Sequence, residues 1–124
     1  MAETSLGLDE NIEGALCYLF GWLTGIIFFV LEKDNRFVKF HAMQSIVVFL
    51  ALMILGWIIG AIATAMFFAA PYNAGAFGIA TLISLISTLL WLVMFVLWLL
   101  LMYKAYSGEM YKLPKIGDWV ESKI

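Results

Sequence analysis

The chain has 124 residues, 65% hydrophobic and 13% charged, with a mean hydropathy of +1.00. A soluble domain is nearer half apolar and a quarter charged, so this composition excludes a water-soluble globule and points to the bilayer as the folding medium. A net charge of −2, with seven Lys and Arg in no long run, argues against nucleic acid as a partner, and the single Cys17 supports neither a disulfide framework nor a cysteine metal cluster.

Residues 1–13 read as a short extracytoplasmic tail. Asp9 is placed to cap a first helix, with Glu10 and Glu13 in its first turn. Gly14 to Leu31 is an uncharged 18-residue stretch, long enough to cross a hydrocarbon core of about 30 Å. It lacks the basic flank of a cleaved signal peptide and reads as an anchor. Glu32 to Asn35 ends it, and Asp34 or Asn35 is placed to cap the next helix. Residues 46–70 form a second apolar span and residues 78–103 a third, joined by a turn at Pro71, Tyr72, Asn73 and Gly75. Gly108 is positioned to stop the third helix. In the closing tail, Ile116, Trp119, Val120 and Ile124 share one helical face, which predicts a short amphipathic segment on the membrane surface.

The basic residues fall into two groups: Lys33, Arg36 and Lys39, then Lys104, Lys112, Lys115 and Lys123. Three crossings put both groups on one face, which the positive-inside rule makes cytoplasmic. The expected fold is therefore an all-α bundle of three transmembrane helices in the plasma membrane: a 1–13 tail outside, a membrane domain over 14–103 and a cytoplasmic interfacial tail over 104–124.

The stretch "EKDNRFVKFHAMQS" holds the only histidine. Lys33, Arg36 and Lys39 sit where anionic headgroups would be, and Phe37 and Phe40 are expected to anchor in the interface. On a helix from Asn35, residues Phe37, His41, Gln44 and Ser45 share a face and need hydrogen-bond partners at the membrane edge. Three readings follow: a polar cluster fixing the end of the bundle, a cytoplasmic contact site for lipid headgroups or a partner protein, and a pH-sensitive or catalytic histidine. Across a three-span bundle Cys17 and His41 are roughly 20 Å apart, so no Cys–His pair is expected. His41 and Ser45, at i and i+4, lack an oriented acid and an oxyanion site. No enzyme, cofactor or metal site is expected.

None of the three spans holds Asp, Glu, Lys, Arg or His, which disfavours autonomous ion-coupled transport. Gly21 and Gly25, and Gly56 and Gly60, have the spacing that lets helices approach closely. Trp22, Trp57 and Trp91 lie near mid-membrane by residue count, where each indole N–H needs an acceptor; Thr24, Thr81, Ser84, Ser87 and Thr88 are the hydroxyls available for a packed layer.

The segment from Leu8 to Ser45, its Phe-His-Ala-x-Gln-Ser core, and the closing "LPKIGDWVE" resemble a family of small prokaryotic membrane proteins, itself distantly similar to the twenty-kilodalton Tic subunit of chloroplast protein import. The resemblance to the prokaryotic family covers nearly the whole chain. The chloroplast branch implies a helical component of a protein-conducting translocon, and no catalytic role for His41, Gln44 or Ser45 comes with it. The expected function is a membrane-embedded structural or translocation-associated component, a homo-oligomer or partnered with other membrane proteins. The alternatives are an oligomeric channel for ions or small solutes and an intramembrane enzyme using His41 and Ser45.

Overall fold

In the computed structural model, which describes residues 4–124, the uncharged stretch from Gly14 to Leu31 is not one helix. Five helices form: α1 (Glu10–Leu19), α2 (Trp22–Leu31), α3 (Arg36–Ala69), α4 (Ala74–Tyr106) and α5 (Ile116–Lys123). Among the described residues there is no strand. α3 and α4 are long and apolar enough to cross a membrane. α1 and α2, of ten residues each, reach only about 15 Å apiece, half a hydrocarbon core.

The expected first span is thus replaced by a helical hairpin, and the cause is local. Gly21 has φ +61°, a left-handed conformation that an L side chain adopts only with strain. It turns the chain between α1 and α2, which then pack on one another. The N-terminal tail packs beside the hairpin. Ser5 donates from both its N–H and its hydroxyl to the Glu32 carboxylate. Asn35 Nδ2 donates to Glu10 at 3.0 Å, and Asn11 Nδ2 to the Tyr106 carbonyl at 2.9 Å. Residues 5–11 of the tail therefore lie against residues 32–35 and the end of α4. Of that tail, residues 1–3 lie outside the described residues.

The other boundaries follow from identifiable caps. Asn35 Oδ1 accepts from the Val38 N–H at 3.0 Å and starts α3. Asn73 Oδ1 accepts from the Gly75 N–H at 3.0 Å and starts α4. Asp9 occupies the cap position of α1, but its side chain makes no capping bond. α4 ends where Gly108, at φ +85°, lets the Gly108 N–H reach the Ala105 carbonyl and the Glu109 N–H reach the Lys104 carbonyl, a Schellman arrangement.

The chain divides into two compact units, residues 1–51 with 96–124, and residues 52–95. In the first, α2 meets α3 closely: a Cβ built on Gly25 would stand 2.9 Å from the Ala42 carbonyl oxygen. In the second, Gly56 faces the Trp91 indole, whereas a Cβ on Gly60 would meet nothing within 4 Å. Trp57 is 61% exposed, so it joins no packed layer within this chain. Thr64, Thr81 and Thr88 donate to the carbonyls four residues back on their own helices, which satisfies each hydroxyl without a neighbouring indole.

Gly25→Leu is expected to destabilise the protein by about 1–3 kcal/mol, the usual range for overpacking a close contact. Gly60→Ala should stay within roughly 0.5 kcal/mol. Unfolding in mixed micelles measures both, and equal effects would show that the Gly25 contact is not a packing constraint.

Candidate functional site: a buried hydrogen-bond clamp

His41, Gln44 and Ser45 begin on sequence grounds as the polar face of the first turns of α3. In the structure all three are fully buried, as are Tyr18 and Phe40, with Phe37 nearly so. The strip accordingly divides. Lys33 and Arg36 are exposed and Lys39 half-buried, with its Nζ 5.3 Å from the Phe29 ring. Phe37 and Phe40 do not anchor in an interface; they stand edge-on to the His41 ring, at 4.5 and 5.3 Å between centroids.

The hydrogen bonds around His41 fix its tautomer. His41 Nε2 lies 3.0 Å from the Glu109 carbonyl, which can only accept, so Nε2 carries the proton. Nδ1 then accepts from the Tyr18 hydroxyl at 2.8 Å. That hydroxyl oxygen in turn accepts from Gln44 Nε2 at 3.0 Å. Gln44 Nε2 also donates to the Tyr111 carbonyl at 3.0 Å, while its Oε1 accepts from the Leu113 N–H at 3.2 Å. A neutral imidazole and one amide thus hold three backbone groups of the segment 109–113 against α1 and α3. Gly108 sets this up, because its turn delivers the Glu109 carbonyl to the histidine.

A second set of bonds closes the break between α1 and α2. Thr24 Oγ1 donates to the Cys17 carbonyl at 3.1 Å and accepts from the Phe20 N–H at 3.2 Å. Ser45 Oγ donates to the Gly21 carbonyl at 2.8 Å, and Trp98 Nε1 to the Tyr18 carbonyl at 2.6 Å. Ser45 therefore spends its proton on backbone rather than forming a pair with His41. Cys17 also lies elsewhere than expected. Because α1 turns back, its sulfur sits 3.8 Å from the Val38 carbonyl, packed with Phe37, Val38 and Ala42, instead of far across a membrane from the histidine.

Two acidic residues that sequence reasoning left as helix ends are buried where the hairpin enters and leaves. Burial alone would raise the Glu32 carboxyl, yet hydrogen bonds from the Ser5 hydroxyl and N–H and from the Asp34 and Asn35 N–H groups hold it below its ordinary value. Burial pushes the Glu13 carboxyl up; nearby Thr4 opposes this and the Glu32 charge adds to it. Neither Glu13 oxygen has a hydrogen-bond partner among the described residues. No group of three or more His, Cys, Asp and Glu is gathered for a metal among the described residues. Tyr18, Trp98, Glu13 and Glu32 were the residues missed. The available signal was acid at both ends of an 18-residue apolar stretch with a glycine in its middle.

Two long apolar helices beside a helical hairpin, with the polar groups turned inward, define a helical membrane protein. Comparison with known sequences agrees and goes further: the chain belongs to the magnetosome magnetite crystal formation protein family, whose model matches residues 9–120. It is 51% identical to the UPF0132 membrane protein MJ1443 of Methanocaldococcus jannaschii, over 98% of this chain and 94% of that protein. It is 41% identical to the UPF0132 membrane protein MJ1527 of the same organism, over 94% of this chain and 71% of that protein. A UPF0132 membrane protein of Archaeoglobus fulgidus is 41% identical over 94% of this chain and 97% of its own length. No solved structure matches the chain. The expected kinship with small prokaryotic membrane proteins is thereby shown; the likeness to the chloroplast import subunit is not.

Gln44→Leu would leave the Tyr111 carbonyl and the Leu113 N–H without their side-chain partner, at a cost of about 1–3 kcal/mol for each buried group. Amide exchange at Leu113 should accelerate, while Lys33→Gln, at an exposed position, leaves it unchanged. Glu32, held low, contributes stability that is complete above its ordinary value of 4.5 and is lost as pH falls through the lowered folded value. An acid titration of unfolding should therefore show a limb that Glu32→Gln flattens and Ser5→Ala moves to higher pH.

Proposed function

We propose that the protein is a membrane-embedded structural component of a larger assembly. It crosses the bilayer twice, through α3 and α4, and carries α1–α2 as a re-entrant hairpin. The observation that supports a structural role is the commitment of side chains: His41, Gln44, Tyr18 and Ser45 direct their hydrogen bonds at this chain's own backbone and at one another. A catalytic histidine needs a lone pair or proton free for substrate, and here both ring nitrogens are engaged. From the relatives' names we extend membrane residence to this chain. A translocation-associated role falls within this reading, with Lys33, Arg36 and Lys39 as the outward edge of the strip, facing headgroups or a partner.

With two crossings, all seven basic residues and both termini share one face, and the positive-inside rule makes it the cytoplasmic side of the plasma membrane. The turn at residues 70–73 then emerges outside.

One observation favours an oligomeric channel as a second reading. Within residues 52–95 a cleft of about 480 Å³ is lined by Gly60, Thr64, Ser84, Ser87 and Thr88 among others. Several copies facing such clefts together would give a hydroxyl-lined path.

Single cysteines at Ser5 and Asn73, in a Cys17→Ser background, test the topology with a membrane-impermeant reagent. Ser5 should label only in inverted vesicles and Asn73 only in intact cells; labelling of both from one side overturns the two-crossing arrangement. Purification in mild detergent should recover partner proteins. Isolation of the chain alone, together with ion flux in liposomes, would favour the channel.

A further inference from the structure

We propose that the groove between α5 and α3 seats an acyl chain of an anionic phospholipid, with Lys115 at its phosphate. This goes beyond the structural role above. It rests on α3 spanning a bilayer, not on which side is cytoplasmic.

α5 docks on the chain by one face only. Val120 is fully buried, and Gly117 sits so close to Lys112 that a Cβ would collide with it. The other apolar side chains, Ile116 and Trp119, remain 37% and 50% exposed. They do not point at random: together with Val47 of α3 and with Lys115 they line a groove of about 290 Å³. Val47 is the second residue of the apolar stretch that begins at Ile46, just past the polar Gln44 and Ser45, which puts the groove at the boundary between hydrocarbon and headgroups when α3 spans a bilayer. An exposed tryptophan is favoured at that depth, where its ring meets acyl chains and its N–H meets water or headgroup oxygens.

The charges beside the groove select the headgroup. Lys112 is occupied by Glu121 and lies 4.0 Å from Asp118. Arg36 donates to the carbonyls of Glu121 and Ile124 at 3.4 and 3.3 Å. Lys115 and Lys123 form no ion pair among the described residues, and Lys123 Nζ stands 5.6 Å from the Trp119 ring. An apolar groove at the membrane edge, flanked by two uncompensated ammonium groups, matches an amphiphile with an apolar tail and an anionic head. A second copy meeting this face through the same surface would instead oppose Lys115 to Lys115.

The full chain is placed in phosphatidylcholine vesicles containing a minor fraction of lipid brominated near the top of its acyl chain, either phosphatidylglycerol or phosphatidylcholine. The Trp119 signal is the fluorescence of the wild type minus that of Trp119→Phe. Brominated phosphatidylglycerol should quench it up to about fivefold more than brominated phosphatidylcholine, the scale of one lysine near an anionic headgroup. Lys115→Gln should lower the ratio toward one, Lys104→Gln, whose ammonium is paired with Glu109 away from the groove, should leave it, and raised salt should lower it in the unmodified protein. A ratio of one in the wild type, or one unchanged by Lys115→Gln and by salt, overturns the proposal. Quenching of the remaining tryptophans by lipid brominated at mid-chain, with none of Trp119 by either headgroup, overturns it too and shows that protein covers the groove. Absence of quenching at every tryptophan overturns the bilayer reading itself.

Discussion

A polypeptide that breaks its helix among apolar surroundings exposes amide and carbonyl groups that apolar neighbours cannot satisfy, and this constraint organises the structure. The break falls at Phe20–Gly21, inside a stretch with no charged side chain. The groups it frees are met by Thr24 from α2, Ser45 from α3 and Trp98 from α4. Each donor comes from a different helix, so the hairpin is stable only where the three converge. The apolar side chains at its tip are free to face outward, and Phe20 does so, 68% exposed. Polarity is gathered inside and greasiness shown outside, the inverse of a soluble core.

The same logic explains the histidine strip. Segment 109–113 follows the Schellman turn as irregular chain and needs partners for its own backbone. Side chains of α3 provide them, and Tyr18 links the two sets of bonds by donating to His41 while accepting from Gln44. Gly14 contributes by absence: a Cβ there would stand 2.7 Å from the Phe37 ring, so the glycine lets α1 come close enough for Tyr18 to reach. Hydrophobic contact and hydrogen bonding are here not separate layers of stability. The aromatic rings of Phe37, Phe40 and Tyr18 enclose the imidazole, and their enclosure makes every unmade bond inside expensive.

Much of this was legible in the sequence, though unevenly. Composition alone identified the medium, and continuous apolar runs identified α3 and α4, because lipid leaves little else for twenty uncharged residues to do. The Asp34–Asn35 pair, of which Asn35 proves to be the cap, and Gly108 marked their boundaries for local reasons that hold in any fold. The amphipathic pattern after Pro114 foretold α5, and the need of His41, Gln44 and Ser45 for partners was clear from their depth. What did not hold was a single helix over residues 14–31, where α1 and α2 stand instead. Length and hydropathy cannot distinguish one 18-residue helix from two ten-residue helices joined by a left-handed glycine. The outcome turns on whether distant residues satisfy the opened backbone, and Trp98 lies 80 positions from the carbonyl it serves. The partners of the histidine were hidden for the same reason: two of the three groups bound in 109–113 are carbonyls, and the third is an amide, none carrying a side-chain signature.

The bond from Trp98 to the Tyr18 carbonyl has a consequence for how the molecule is made. The ribosome makes residues 14–31 long before it has synthesised the indole that finishes their turn, or the segment that locks onto His41. Until α4 is complete, the nascent hairpin lacks part of its scaffold. Its final geometry is reached only once Trp98 and segment 109–113 have been made, so residues 14–31 are synthesised early in this sequence and settle late.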